Sequence, residues 1–276
     1  MKLVDAASYF DLTQATDPDT GVLLFKGQID PFDDSKRDGT ASYRRILSVR
    51  PGTTIPAGRV VTMLGKTWLV GTMEPDGLQE LHRQKYVLQE AAKTLKVSRL
   101  SGFLAGTVAS TLRANVAWYK DEDQVEVSSQ MPQMFDIMLP SGSVVQDQDV
   151  LWNTGEAYLM LSKWDSVAGY LELDCLKLDQ VLPATASLVV RTYDPVTGTY
   201  TNSAATNVNA LAVRWQNLFK YLSQASEKNK PGDVAIVLPT GTVASTGTVV
   251  TLSGSVYQTL AVLDIAGAVV LHARLV

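Results

Sequence analysis

Glu172 and Asp174 alternate with Leu171 and Leu173, so a strand through this stretch places both carboxylates on one face, a spacing that suits the acid and the nucleophile of a glycosidase. An outward, solvated strand face gives the same alternation, and no aromatic-rich run adjoins the pair in sequence. The two histidines offer little more. His82 lies in a charged run and His272 on the polar face of the final strand, where both read as exposed imidazoles, and no G-x-S-x-G nucleophile elbow occurs. The "GKT" at 65–67 has the end of a phosphate-binding loop but Val60 where its first glycine belongs, and it falls in a predicted hairpin. In "DDSKRDG" at 33–39, Lys36 and Arg45 occupy positions where a calcium loop needs oxygen ligands, and "DED" at 121–123 reads as a hairpin tip. One cysteine and two distant histidines make no zinc set, and Cys175, in an apolar stretch, reads as a small core residue. Hence no catalytic, cofactor-binding or metal-binding residue is assigned, no cofactor is expected, and the chain is expected not to be an enzyme.

Charge narrows the partners. With 24 Lys and Arg against 28 Asp and Glu, the net charge of −4 is spread without long like-charge blocks, which disfavours electrostatic wrapping of nucleic acid or an anionic membrane. The opening "MKLVDAASYF" has no apolar core of a secretory signal, so synthesis in a reducing cytoplasm without export by that route is expected. From Val234 to Leu263 no residue is charged, yet Pro239, Gly241, Gly247 and Gly254 break the run and Thr and Ser lace it. That composition predicts strands and turns rather than a membrane helix.

The elements that must position these residues are mostly strands. "IPAGRV" at 55–60, "LPSGSV" at 139–144 and "LPTGTV" at 238–243 share a Pro-x-Gly corner, each followed by Gly-x-x-aromatic in "GKTW", "GEAY" and "GSVY". The separation of the two glycines is 13 residues in the second and third units and 7 in the first, which leaves internal duplication open. Proline fixes φ at the first corner of a turn and glycine supplies the positive φ that follows. A second pair, "DPDTG" at 17–21 and "DPVTG" at 194–198, predicts Asp-capped turns, the latter tipping a hairpin. Strands are predicted at 44–49, 59–63, 67–71, 116–127, 134–139, 156–162, 169–173 and 269–275. The one clear amphipathic helix is expected over 208–225, from Val208, Leu211, Ala212, Trp215, Leu218, Phe219 and Leu222, and 78–95 is expected to run from strand into a short helical turn. The fold class is therefore mainly β, small barrel or sandwich domains joined by hairpins, divided into a barrel-like domain over 1–97 and a second β-rich domain over 98–276.

The stretch "YRRILSVRPGTTIPAGRVVTMLGKTWLVG" at 43–71, with "EPDG" at 74–77 and "HRQKYVLQEA" at 82–91, resembles the head-closure, or stopper, and connector proteins of tailed bacteriophages. The resemblance covers about the first third of the chain. It implies a small β-barrel in which Ile55, Pro56, Gly58, Val60, Val61, Gly65, Trp68 and Val70 are barrel and corner residues. It further implies a virion protein of the neck that assembles as a homo-oligomeric ring and contacts portal or adaptor and tail proteins, meeting DNA only as the passing genome. The remaining residues exceed a usual stopper and suit a collar, tail-adaptor or capsid-decoration role. A carbohydrate-binding β module is the alternative from another class, motivated by five Trp, ten Tyr and the Glu172/Asp174 pair. The uncharged 234–263 is expected to be covered, by the 208–225 helix, by an adjoining copy, or as the buried sheet of one domain.

Overall fold

Short strands with an apolar residue at every second position bury one face only if the sheet curls over it, and six such strands can close completely. The computed structural model, which describes residues 12–31, 44–73, 83–118, 134–166, 169–178, 182–214, 233–265 and 268–276, does this three times. Barrel 1 is built from β1 (Thr13–Thr16), β2 (Leu23–Pro31), β3 (Arg44–Val49), β4 (Arg59–Met63), β5 (Lys66–Met73) and β6 (Gln84–Glu90). Barrel 2 follows with β7 (Lys93–Arg99), a five-residue helix α1 (Leu100–Leu104), β8 (Ser110–Trp118), β9 (Met134–Pro140), β10 (Asp149–Trp152), β11 (Ala157–Asp165) and β12 (Tyr170–Leu178). Barrel 3 has β13 (Ala184–Val189), then a separate two-stranded hairpin of β14 (Arg191–Asp194) and β15 (Thr199–Asn202), then β16 (Thr206–Arg214), β17 (Val234–Leu238), β18 (Val249–Leu252), β19 (Ser255–Ile265) and β20 (Ala268–Leu275).

All three barrels have one connectivity. Counting only barrel strands, the order around each is first, second, third, sixth, fifth, fourth, every neighbour antiparallel. Irregularities repeat with it: the fifth strand shifts register after Val70, Met160 and Thr259. The sequence predicts a boundary at 97/98; the strands group instead into 13–90, 93–178 and 184–275.

This register also re-reads the Pro-x-Gly units. Between the third and fourth strands every barrel makes two successive turns of type II, marked by a positive φ at the third turn residue. The first turns carry Gly52, Gly142 and Gly241, at φ 83°, 79° and 79°, and the second carry Gly58, Gln148 and Gly247, at 75°, 69° and 88°. In each first turn the amide of Thr53, Ser143 or Thr242 donates to the carbonyl of Arg50, Pro140 or Pro239 at 3.2 Å. So "IPAGRV" is the second turn of its unit, whereas "LPSGSV" and "LPTGTV" are first turns. Matched correctly, Gly52 precedes Gly65 by the same interval as in the other units, and the uneven spacing disappears. Proline stands at the first corner only in the first unit, as Pro51; Pro140 and Pro239 precede theirs.

Each barrel has its own interior. Ala15, Leu47, Val61, Met63, Trp68 and Leu88 fill the first, Leu95, Ile137, Leu139, Tyr158, Met160 and Leu173 the second, and Leu188, Ile236, Leu238, Val250, Leu252 and Leu271 the third. One interior position admits only the smallest residues. A Cβ on Gly27 would lie 2.7 Å from the Leu47 side chain, and the matching Ala114 and Ala210 are fully buried.

The amphipathic helix expected over 208–225 is not found over its described residues, 208–214. Thr206–Arg214 is strand β16, and 215–225 lies outside the described residues. Over 208–213 the helical spacing arises from two apolar strand faces added together: Val208, Ala210 and Ala212 face barrel 3, while Leu211 and Val213 face barrel 2. Over 78–95 the helical turn is likewise not found, since Gln84–Glu90 and Lys93–Arg99 are consecutive strands; 78–82 lies outside the described residues. The strands expected at 44–49 and 59–63 match β3 and β4, and the hairpin around "DPVTG" forms as β14–β15.

Candidate functional site

The chemistry of this molecule lies on the outer walls of the barrels, because the interiors are packed with side chains. On barrel 2, Glu172 and Asp174 do share a face, the outer one, as their alternation predicts. Across the sheet Asp136 stands opposite Asp174, and Trp164, 42% exposed, stands opposite Glu172. The Ser162 hydroxyl donates to Asp174 at 2.7 Å. Burial of Asp136, with Asp174 and Glu172 adding like charge, raises its carboxyl from 3.8 to about 6. Trp164, eight residues before Glu172 in sequence, is set beside it by the antiparallel register of β11 and β12. Among the described residues no group of three His, Cys, Asp or Glu is placed to hold a metal ion.

His272 requires a correction. It is 3% exposed, not a surface imidazole, and its Nε2 lies 2.9 Å from Asp233 Oδ2. Arg274 holds the same carboxylate with two further bonds, Nε to Oδ1 at 2.7 Å and Nη2 to Oδ2 at 2.9 Å. The outward face of β20 is not a solvent face, because Val270 on it joins a core shared with barrel 2. His82, "DED" at 121–123 and "DDSKRDG" at 33–39 lie outside the described residues, while "GKT" sits in the β4–β5 hairpin. Cys175 is buried in the barrel 2 core, and burial pushes its thiol well above its usual range.

The seams between barrels are the most developed surfaces. At the first, Val60 and Leu69 from the fourth and fifth strands of barrel 1, with Ala91, pack on Met138 and Tyr170 of barrel 2. The Tyr170 hydroxyl donates to the Val87 carbonyl at 3.0 Å. Backbones approach closely here. A Cβ on Gly58 would fall 2.3 Å from the Ser141 amide and one on Gly169 2.4 Å from Ala57, while Ser141 Oγ donates to the Ala57 carbonyl at 2.9 Å. At the second seam Val150, Trp152 and Leu159 of barrel 2, with Phe103 and Leu104 of α1, pack on Leu211, Val237 and Val270 of barrel 3. Trp152 anchors it: the ring meets Phe103 edge-on at 5.6 Å, Lys96 lies 4.6 Å above it, and its N–H donates to Ser98 at 3.0 Å.

The seams are copies of each other. Val60 and Val150 occupy one barrel position, as do Leu69 and Leu159 on the giving side and Met138 and Val237 on the receiving side. In both, the segment between the first and second strands reaches the second strand of the next barrel. Asp19 takes a bond from Arg113 at 2.8 Å, and the Leu104 carbonyl takes one from Asn209 at 2.9 Å. Arg113 and Asn209 are equivalent, each preceding the small interior alanine of its strand. The outer face of β17, within the uncharged 234–263, is thus covered, by barrel 2 of the same chain. The signal for these seams was in the sequence as strands apolar on both faces, "DVLW" and "VAIVL".

No protein-family model matches the chain, and comparison with curated proteins and with solved structures returns no match. Among the described residues no helix is long and apolar enough to cross a membrane.

Proposed function

We propose that this chain is a structural protein of a tailed-bacteriophage virion, without enzymatic activity, which works at the neck by protein–protein contact and assembles there with further copies of itself. The observation that carries the reading is the use of one barrel three times, joined each time through the same outer walls. The stretch whose sequence resembles head-closure proteins, 43–71, supplies the third to fifth strands and double turn of barrel 1, and this same unit recurs in barrels 2 and 3. A protein that multiplies a barrel while changing its loops multiplies contact surface rather than a reaction centre. Electron microscopy of intact particles with a tagged copy tests the reading. Density in the portal-to-tail column supports it; density over the shell replaces the neck with decoration; absence from particles overturns it.

A second reading rests on Trp164. An exposed indole flanked by Glu172 and Asp174 presents a stacking surface beside hydrogen-bond acceptors, which suits a pyranose ring. A glycan array with the wild type and the Trp164→Ala variant decides it: specific binding lost in the variant favours a carbohydrate-recognising wall, and no binding retires it.

A further inference from the structure

Among the described residues two walls that the seams would use carry no barrel against them, one on barrel 1 and one on barrel 3. In barrel 3 the residues equivalent to Val60 and Val150 and to Leu69 and Leu159 are Val249 and Gln258, which pair across β18 and β19 as the others do. Beside them on the same wall lie Thr251 and Val256, and Thr251, Val256 and Gln258 are exposed. None of these four residues is charged; Arg274 stands beside Gln258 on β20, where Asp233 holds it, and Arg191 stacks on Tyr200 of the hairpin at 4.2 Å. The insert between first and second strands, a turn in barrel 1 and α1 in barrel 2, is here the β14–β15 hairpin. The hairpin displays Tyr193 at 52% and Tyr200 at 57% exposure, their rings 5.0 Å apart, and Val196 at its tip at 91%. At the other end of the chain, Lys26 is the counterpart of Arg113 and Asn209, the residue before the small interior Gly27 on the second strand. Arg113 and Asn209 each bond the insert of the preceding barrel, whereas Lys26 is exposed and meets no barrel among the described residues.

We infer that the β18–β19 wall and the β14–β15 hairpin of barrel 3 form a docking face for barrel 1 of a second copy, so that the barrel-to-barrel seam continues between chains. The occupant follows from continuity with the two seams inside the chain, in which strands four and five and the insert of one barrel always meet the second, third or sixth strand of the next. Lys26 of the incoming copy then approaches the hairpin on its Tyr193 side, since the Tyr200 ring already carries the Arg191 guanidinium at 4.2 Å. Such a contact is heterologous, joining two different surfaces, and it closes into a ring or runs on as a filament according to the rotation per copy. This deepens the assembly part of the proposed function by naming the surfaces, and it does not depend on where in a virion the assembly stands.

The test is sedimentation velocity on the full chain over a concentration series, with two variants that each disable one wall: Thr251→Lys on barrel 3 and Lys26→Glu on barrel 1. Both positions are exposed, and melting curves confirm that each variant is folded. The wild type is expected to form concentration-dependent oligomers, and each variant alone is expected to lose at least tenfold in association. Mixed together, they are expected to give a one-to-one dimer that grows no further, because one retains a barrel 1 wall and the other a barrel 3 wall. Two outcomes overturn the inference: a wild type that stays monomeric at about 100 µM, well above a micromolar dissociation constant, or oligomers that survive both substitutions. In the latter, copies join through another surface and the assembly reading stands without this docking face.

Discussion

Asp136 is the titratable group whose surroundings work most clearly against it. With a folded-state pKa raised to about 6 from 3.8, its contribution to stability is fully present below pH 3.8 and is lost as pH rises through 6, where folding must hold a charge beside Asp174 and Glu172. Asp136→Asn should therefore raise stability at pH 7 by about 1–2 kcal/mol and change little at pH 3.5, as denaturant titrations at the two values will read. Gln148 poses a backbone problem. It holds φ 69° where its counterparts are Gly58 and Gly247, and its side-chain oxygen is buried with no hydrogen-bond partner. Gln148→Gly should stabilise by about 0.5–1 kcal/mol. The reverse change at the matching position, Gly58→Gln, should destabilise by about 2–4 kcal/mol, because the added Cβ meets the Ser141 backbone at the seam. Chemical denaturation of the pair tests whether one turn conformation carries opposite requirements in two barrels.

Strands were readable from the chain where an apolar stretch runs between clear turn signals. β3 and β4 match their expected bounds residue for residue, although Leu47, Ser48 and Val49 are buried in succession and Val60 lies in the seam, and the Asp17 and Asp194 turns form as their chemistry requires, each carboxylate accepting backbone amides of its own turn. Over β16 the pattern misled. Val208, Ala210 and Ala212 on one side of β16 and Leu211 and Val213 on the other sum to a helical periodicity, and only the presence of barrel 2 explains the second set. The Glu172/Asp174 face was legible, but Asp136 reaches it from β9, far off in sequence, and Trp164, only eight residues before Glu172, reaches it through the register of the β11–β12 pair. The Asp233 clamp on His272 and Arg274 was invisible for the same reason as Asp136. Trp152 offers the element-scale test. Truncation to Ala removes the ring from the α1 seam and leaves Ser98 without its donor, a loss of about 3–5 kcal/mol that thermal unfolding should show together with the release of α1.

Three barrels of one plan need not melt as three equal units. Barrels 2 and 3 share a continuous core through Val150, Trp152, Leu159, Phe103, Leu211, Val237 and Val270, whereas barrel 1 meets barrel 2 through Leu69, Ala91, Met138 and Tyr170. Calorimetry should resolve two transitions, barrel 1 alone and barrels 2 and 3 together; a single transition would show that the smaller seam suffices for full cooperativity. The Tyr170→Phe variant should lower only the barrel 1 transition's coupling, by about 1 kcal/mol, since it removes the bond to Val87. The connection between these barrels is the pair Ala91–Ala92. Ala91 is 4% exposed and its amide donates to the Thr67 carbonyl at 2.8 Å, so the linking peptide is itself clamped to the barrel it leaves. A joint of this kind has no slack. Torque applied to barrel 1 is expected to pass into barrel 2, so that the first two barrels act as a stiff lever rather than as beads on a string. Four residues of Gly and Ser inserted between Ala91 and Ala92 should turn the lever into a hinge, visible as a broadened distribution of interbarrel distances in solution while both barrels keep their strands.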